Sequence, residues 1–159
     1  MLHIDIITIG KLKEKYLKDA CIEYSKRLSK YCILNIIELQ DEKIPNNETD
    51  KLLDDIKNKE SEKILSHIKK DSFVIALDLT GKQFTSEAFS SKIEKISLIN
   101  SKITFIIGGS LGMSEKLLNV ANEKVSFSSM TFPHQLIRVF LLEQLFRAFK
   151  ISNNETYHR

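Results

Sequence analysis

The chain of 159 residues contains no tryptophan, two cysteines, two prolines and five glycines. Cys21 and Cys32 form no CxxC pair and have no histidine cluster beside them. A metal centre is therefore not expected, and two free thiols in a reducing cytosol are the simplest reading, so a cytoplasmic location is expected. No apolar run approaches the roughly 20 residues needed to cross a bilayer, so no membrane partner is expected either. The apolar start, Met1 to Ile7, lacks a basic leading segment and gives way at once to Thr8-Ile9-Gly10-Lys11. It reads as a strand, not a signal peptide. Repeats and low-complexity linkers are also missing, and the length suits one domain over residues 1–159. A large excess of one charge is also missing: a mildly basic net +3 permits an RNA partner without demanding one.

What is present is an alternation of two periodicities. Ile4–Ile9, Ile33–Leu39, Phe73–Leu79, Ile103–Ile107 and Val125–Ser128 are short apolar runs that read as strands. Between them, Leu17, Ala20, Cys21, Tyr24 and Leu28 recur at helical spacing. Thr49 is placed to cap a second helix, dense in Lys and Glu and so expected to show a solvated outer face. Thr85 caps a third, and Ser114 a short fourth. Pro133 opens a long last helix reaching about Lys150. Strands alternating with helices imply an α/β domain, a mostly parallel sheet flanked by helices. Ligands of such sheets bind beyond the carboxyl ends of strands. That rule points to Leu77–Gly81, Gly108–Gly112 and Phe127–Phe132.

The stretch Phe105-Ile106-Ile107-Gly108-Gly109-Ser110-Leu111-Gly112 puts glycines directly after a buried strand. The backbone there turns sharply or lies close to a ligand; a tight turn with no ligand stays open. The stretch matches neither the dinucleotide fingerprint nor a phosphate loop. The run Phe127-Ser128-Ser129-Met130-Thr131-Phe132-Pro133-His134-Gln135 offers backbone groups and apolar faces to a flat heterocycle. Its phenylalanines equally suit a core plug. On the last helix, Glu143 and Arg147 stand at i, i+4 with Arg138 on a nearby stripe. They form an ion-paired solvated face or, since Phe140 to Phe149 make the helix so apolar, an interface or a site. The tail Tyr157-His158-Arg159 brings together groups that stack and pair with RNA, although chain ends commonly fray.

Together these residues resemble the ribosomal RNA large-subunit methyltransferase H family, of the SPOUT class of knotted methyltransferases. The matching blocks are Ile9–Tyr16, Ile107–Gly112, Ser126–Gln135, Glu143–Ala148 and Tyr157-His158-Arg159. The resemblance runs from end to end. It implies a C-terminal trefoil knot, a rare exception to unthreaded chains. It further implies S-adenosylmethionine bound by Leu77, Gly108, Phe127, Ser128, Ser129, Met130, Thr131 and Phe132, and a homodimer using the last helix. The implied reaction is methylation of N3 of a pseudouridine in 23S ribosomal RNA, on assembled ribosomes. Two departures stand out. Asn153-Asn154 replace a glycine-bearing stretch before the tail, and Leu111, expected at the pocket rim, replaces a smaller residue.

The chemistry requires that the N3 proton leave and that the resulting negative charge be spread and stabilised. His134 or His158 is the expected proton acceptor. Arg138, Arg147 or Arg159 is the expected partner of the anion or of phosphate, with Arg147, Tyr157 and Arg159 on the RNA. Two other readings stand beside this one: a related knotted transfer-RNA methyltransferase, and a non-enzymatic ribosome-binding factor.

Overall fold

The computed structural model describes residues 1–159. In chain order the elements are β1 (Leu2–Ile9), α1 (Lys15–Leu28), β2 (Cys32–Leu39), α2 (Asp50–His67) and β3 (Phe73–Gln83). They continue with α3 (Ser86–Ser97), β4 (Lys102–Ile107), α4 (Glu115–Val120), β5 (Glu123–Ser126) and α5 (His134–Ser152). The strands form one sheet in the order β2-β1-β4-β3-β5, and every pairing is parallel. The expected α/β architecture is therefore present. No helix is long and apolar enough to cross a membrane.

The mostly apolar character of β1 and β4 follows from burial on both sheet faces. Ile4, Ile6, Ile103, Phe105 and Ile107 turn to one face, where they pack with Leu17 and Leu28 of α1, Phe89 and Ile93 of α3, and Leu141 and Leu145 of α5. Ile7, Ile9 and Ile106 turn to the other, with Ile64 of α2 and Leu117 of α4. The period of two along a strand makes this division. The three caps form as expected: Thr49, Thr85 and Ser114 accept from the backbone N–H of Leu52, Ala88 and Leu117 at 3.2, 3.1 and 3.2 Å.

Two strands, β3 and β5, have carboxyl ends that differ from the sequence reading. β3 continues past Leu79 and Thr80-Gly81 to Gln83. Leu77 and Lys82 both stand opposite Val125, so residues 78–81 bulge out of the ladder. Gly81 makes this possible, because a Cβ there would lie 2.6 Å from the Val125 nitrogen. β5 ends at Ser126, where its hydroxyl donates to the Ser128 carbonyl at 2.7 Å and turns the chain away. The charged helix α2 is also less solvated than its composition implies: Glu60 is 4 % and Ser61 1 % exposed.

Candidate active site

The carboxyl ends of β3, β4 and β5 open onto one cavity of about 520 Å³. Leu77 and Asp78 form one wall. Gly108, Gly109, Ser110 and Gly112 form a second, and Phe127, Ser128, Met130, Thr131 and Phe132 a third. His134 and Ile137, from the first turns of α5, close the rim. The three strand ends picked out by topology thus meet at a single site. Ser129 is exposed and outside the lining, and Leu111 is outside it as well.

The glycine wall is a tight turn. The Gly112 N–H donates to the Gly109 carbonyl at 3.0 Å, and Gly112 has a φ of +81°, which favours glycine. A Cβ on Gly108 would meet the Gly112 backbone and the Met113 side chain at 2.9 Å. Helix α2 supports the turn from behind. The Ser114 N–H donates to the Ser61 hydroxyl at 2.9 Å. Glu60 accepts from the Glu42 N–H at 2.9 Å, and a Cβ on Gly109 would touch its carboxylate. Burial pushes the Glu60 carboxyl above the usual carboxylate range. On the first wall, Asp78 accepts from the Thr80 N–H at 3.1 Å and from its hydroxyl. On the third, the Met130 N–H donates to the Ser128 hydroxyl at 3.0 Å, and the Met130 side chain stays exposed.

Burial, and next the charge of Arg138, lowers the pKa of His134 below 6.5. An imidazole at the cavity rim is therefore neutral at pH 7 and able to accept a proton. One turn further along α5, Arg138 is 1 % exposed and lies outside the cavity lining. Its guanidinium donates to Glu38 Oε2 at 2.6 Å and to the Thr8 hydroxyl and the Gly10 carbonyl at 3.0 Å each. The sequence offers Arg138, beside Arg147 and Arg159, as partner of the anion or of phosphate. The structure instead places it beneath the β1–α1 loop, fully engaged with the protein apart from its Nε.

The tail residues assemble elsewhere. Arg147 donates to Glu143 through Nε at 3.0 Å, and its guanidinium lies 4.7 Å from the Tyr157 ring centroid. Tyr157 packs edge-on against Phe146 at 4.9 Å and donates to Glu143 at 3.2 Å. His158 bridges Arg147 at 3.2 Å and Glu87 at 2.7 Å; Arg159 is exposed. Asn154 adopts the left-handed conformation, φ +54°, that turns the chain back onto α5. Thirteen residues of helix separate His134 from Arg147, roughly 20 Å at 1.5 Å per residue. Within one chain, the cavity and the tail cluster are thus at opposite ends of α5.

Sequence reasoning did not single out Thr8, Glu38, Glu60, Ser61 or Glu87. Glu38 left one trace, a lone carboxylate near the carboxyl end of an otherwise mostly apolar strand. The others follow no local pattern.

Comparison with known proteins agrees with this architecture. A family model described as a predicted SPOUT methyltransferase matches residues 2–158. A ribosomal RNA large subunit methyltransferase H from Clostridium botulinum (strain Langeland) is 62% identical over 159 residues, covering 99% of this chain and all of the relative. The protein of that name from Clostridium acetobutylicum is 60% identical with the same coverage. Among solved structures, a probable methylase family protein from Haemophilus influenzae Rd KW20 superposes with a TM-score of 0.55 at 14% identity, covering 98% of this chain and 70% of that one. That likeness concerns the fold alone. The chain belongs to the SPOUT methyltransferase family, whose fold implies a C-terminal trefoil knot.

Proposed function

We propose that this methyltransferase transfers the methyl group of S-adenosylmethionine to N3 of a pseudouridine in large-subunit ribosomal RNA, on assembled ribosomes in the cytoplasm. The observation that carries the reading is the single cavity at the joint ends of β3, β4 and β5 with a neutral imidazole at its rim. The substrate class rests on the names of the full-length relatives.

The lining fits the cofactor. The cavity is within the roughly 300–1,000 Å³ range of small-molecule sites. Leu77, Phe127 and Phe132 are apolar surfaces for a flat ring, and Gly108 keeps the backbone close to the space a Cβ would take. Leu77, Gly108, Phe127, Ser128, Met130, Thr131 and Phe132 would hold it from within the lining. Exposed Ser129 would contribute through the backbone of the same loop. When bound, the cofactor supplies a methyl group already activated by a sulfonium. The protein then needs to position the base and remove one proton.

His134 takes the N3 proton at the rim. Arg138 acts as a positioning residue, fixing the loop against which His134 rests. Arg159 and Arg147 of the tail cluster stabilise the charge on the flanking carbonyls or hold phosphate, Tyr157 stacks, and His158 orients Arg147. Because the tail cluster lies roughly 20 Å from His134 along α5, a second copy of the chain brings the two together. A homodimer face is available in the Phe132 and Phe140 pair, ring centroids 5.3 Å apart and outside the main core cluster.

The test is methyl transfer from labelled cofactor to ribosomes from cells lacking the protein, beside free ribosomal RNA and transfer RNA, with mass mapping of the product. Label on one pseudouridine of large-subunit RNA, seen only with assembled ribosomes, is the expected result. Label confined to transfer RNA would move the target, and no cofactor binding would leave only a ribosome-binding role.

A further inference from the structure

The loop between β1 and α1 is short and tied to the protein by backbone hydrogen bonds. Gly10 turns the chain with a φ of +86°. Its N–H donates to the Leu39 carbonyl at 2.7 Å, and its carbonyl accepts from buried Arg138 at 3.0 Å. The Leu12 side chain is buried, and its N–H donates to Glu38 at 3.2 Å. The Lys13 N–H donates to Gln135 Oε1 on the first turn of α5 at 3.1 Å. The backbone is thus fixed to the protein at Gly10, Leu12 and Lys13, and the side chains of two residues are left outside.

Those residues are Lys11 and Lys13, both exposed and neither in an ion pair, whereas Lys15 is engaged with Asp19 at 2.6 Å. Beyond them Tyr16 opens its ring to solvent at 69 % exposure, with no aromatic or cationic neighbour. The patch adjoins the cavity. A Cβ on Gly10 would lie 3.8 Å from His134 Nε2, and the Lys13 N–H is held by Gln135, the residue that follows His134. Two unpaired ammonium groups on a loop tied to the first turn of α5, with a bare aromatic three residues further on, suit a polyanion with stackable bases.

We infer that Lys11, Lys13 and Tyr16 form an RNA-binding clamp beside the cavity, the lysines on two phosphates and Tyr16 stacked on an unpaired base of the acceptor strand. Resting on the proposed function, the clamp adds a contact surface on the same chain as His134, separate from the tail cluster. The partial anchoring by Glu38 and Arg138 holds it at a fixed distance from the rim.

The experiment compares the wild-type protein with Lys11→Ala/Lys13→Ala and with Tyr16→Ala and Tyr16→Phe. It measures ribosome binding across a salt series, methyl transfer to ribosomes, and cofactor binding by calorimetry. The lysine pair is expected to bind ribosomes about tenfold less tightly and to lower the log–log salt slope by about two, one per lost phosphate contact. Tyr16→Ala is expected to lose about tenfold with an unchanged slope, restored by Tyr16→Phe. Cofactor affinity stays at the wild-type value throughout, which separates a clamp from a damaged pocket. Wild-type ribosome affinity and slope in both alanine variants would overturn the clamp while leaving the proposed function standing. Failure of the wild-type protein itself to bind ribosomes would overturn both.

Discussion

Arg138 and Glu38, a hundred residues apart in sequence, meet at 2.6 Å between α5 and the end of β2. The pair is lopsided, since the Arg138 side chain is 2 % exposed and that of Glu38 36 %. Removing the carboxylate strands a buried cation, whereas removing the cation leaves a carboxylate that water can reach. Glu38→Gln should therefore destabilise the fold by about 3 kcal/mol and Arg138→Met by about half as much. Urea denaturation of both variants checks the order, and the reverse order would mean that Arg138 is less buried in solution.

The cavity walls depend on two missing Cβ atoms. Gly108→Ala drives a methyl into the Gly112 backbone and Met113, and Gly81→Ala drives one into Val125 and Lys124. The first should weaken cofactor binding at least about tenfold and cost stability too, because the Gly112 backbone must shift to admit the methyl. The second should loosen β5 from β3 and cost about 1–3 kcal/mol of stability as well. Calorimetric titration beside thermal melts separates the two effects.

Glu60 supplies a pH signature. Its folded pKa is raised above 4.5 by burial. The contribution of its neutral form is complete below 4.5 and is lost as pH rises through the folded value. Glu60→Gln keeps an acceptor for the Glu42 N–H but carries no charge to bury. It should melt like the wild type at pH 4 and about 2–4 °C higher at pH 7. Equal melting temperatures at both pH values would remove the buried charge from the account.

For His134 the shift runs the other way, with a folded pKa below 6.5. Its stabilising contribution is present above 6.5 and is lost as pH falls through the folded value. If it accepts the N3 proton, kcat/KM should fall on an acid limb with a midpoint below 6.5. His134→Gln should abolish that limb and lower the rate about 100-fold or more, leaving cofactor affinity intact. Survival of the limb in the variant would assign the proton to another group, with His158→Gln the next variant to profile.

The separation of cavity and tail predicts complementation between chains. A protein lacking Tyr157–Arg159 and the His134→Gln variant should each be inactive alone. Mixed and allowed to exchange subunits, they should recover about a quarter of the wild-type activity on ribosomes, since half of the dimers are mixed and each holds one intact site. No recovery, despite mixed dimers seen by mass spectrometry, would place tail and cavity of the same chain together.

Sequence carried the alternation of elements, the helix caps at Thr49, Thr85 and Ser114, and the three strand ends that converge on the cavity. These follow from local periodicity and hydrogen-bonding capacity, which a linear reading contains. The continuation of β3 to Gln83 was not legible, because Thr80-Gly81 has the chemistry of a turn and only the close approach of β5 makes it a bulge. The fate of Arg138 was hidden for a similar reason. Nothing near it in sequence shows that Thr8, Gly10 and Glu38 converge on its guanidinium. Glu60 and Ser61 sit in a helix whose composition reads as solvated, and their burial is set by the loop that folds onto them.

Helix α5 carries His134 on its first turn and anchors the tail on its last turns, so its length acts as a ruler between them. One inserted residue would turn the tail anchor by about 100° around the axis and advance it about 1.5 Å, while seven would nearly restore its direction but displace it about 10 Å. The register between cavity and tail is therefore written into a count of residues as much as into their identities. A change in that count midway along α5 would disturb the spacing without touching any of the groups that do the chemistry.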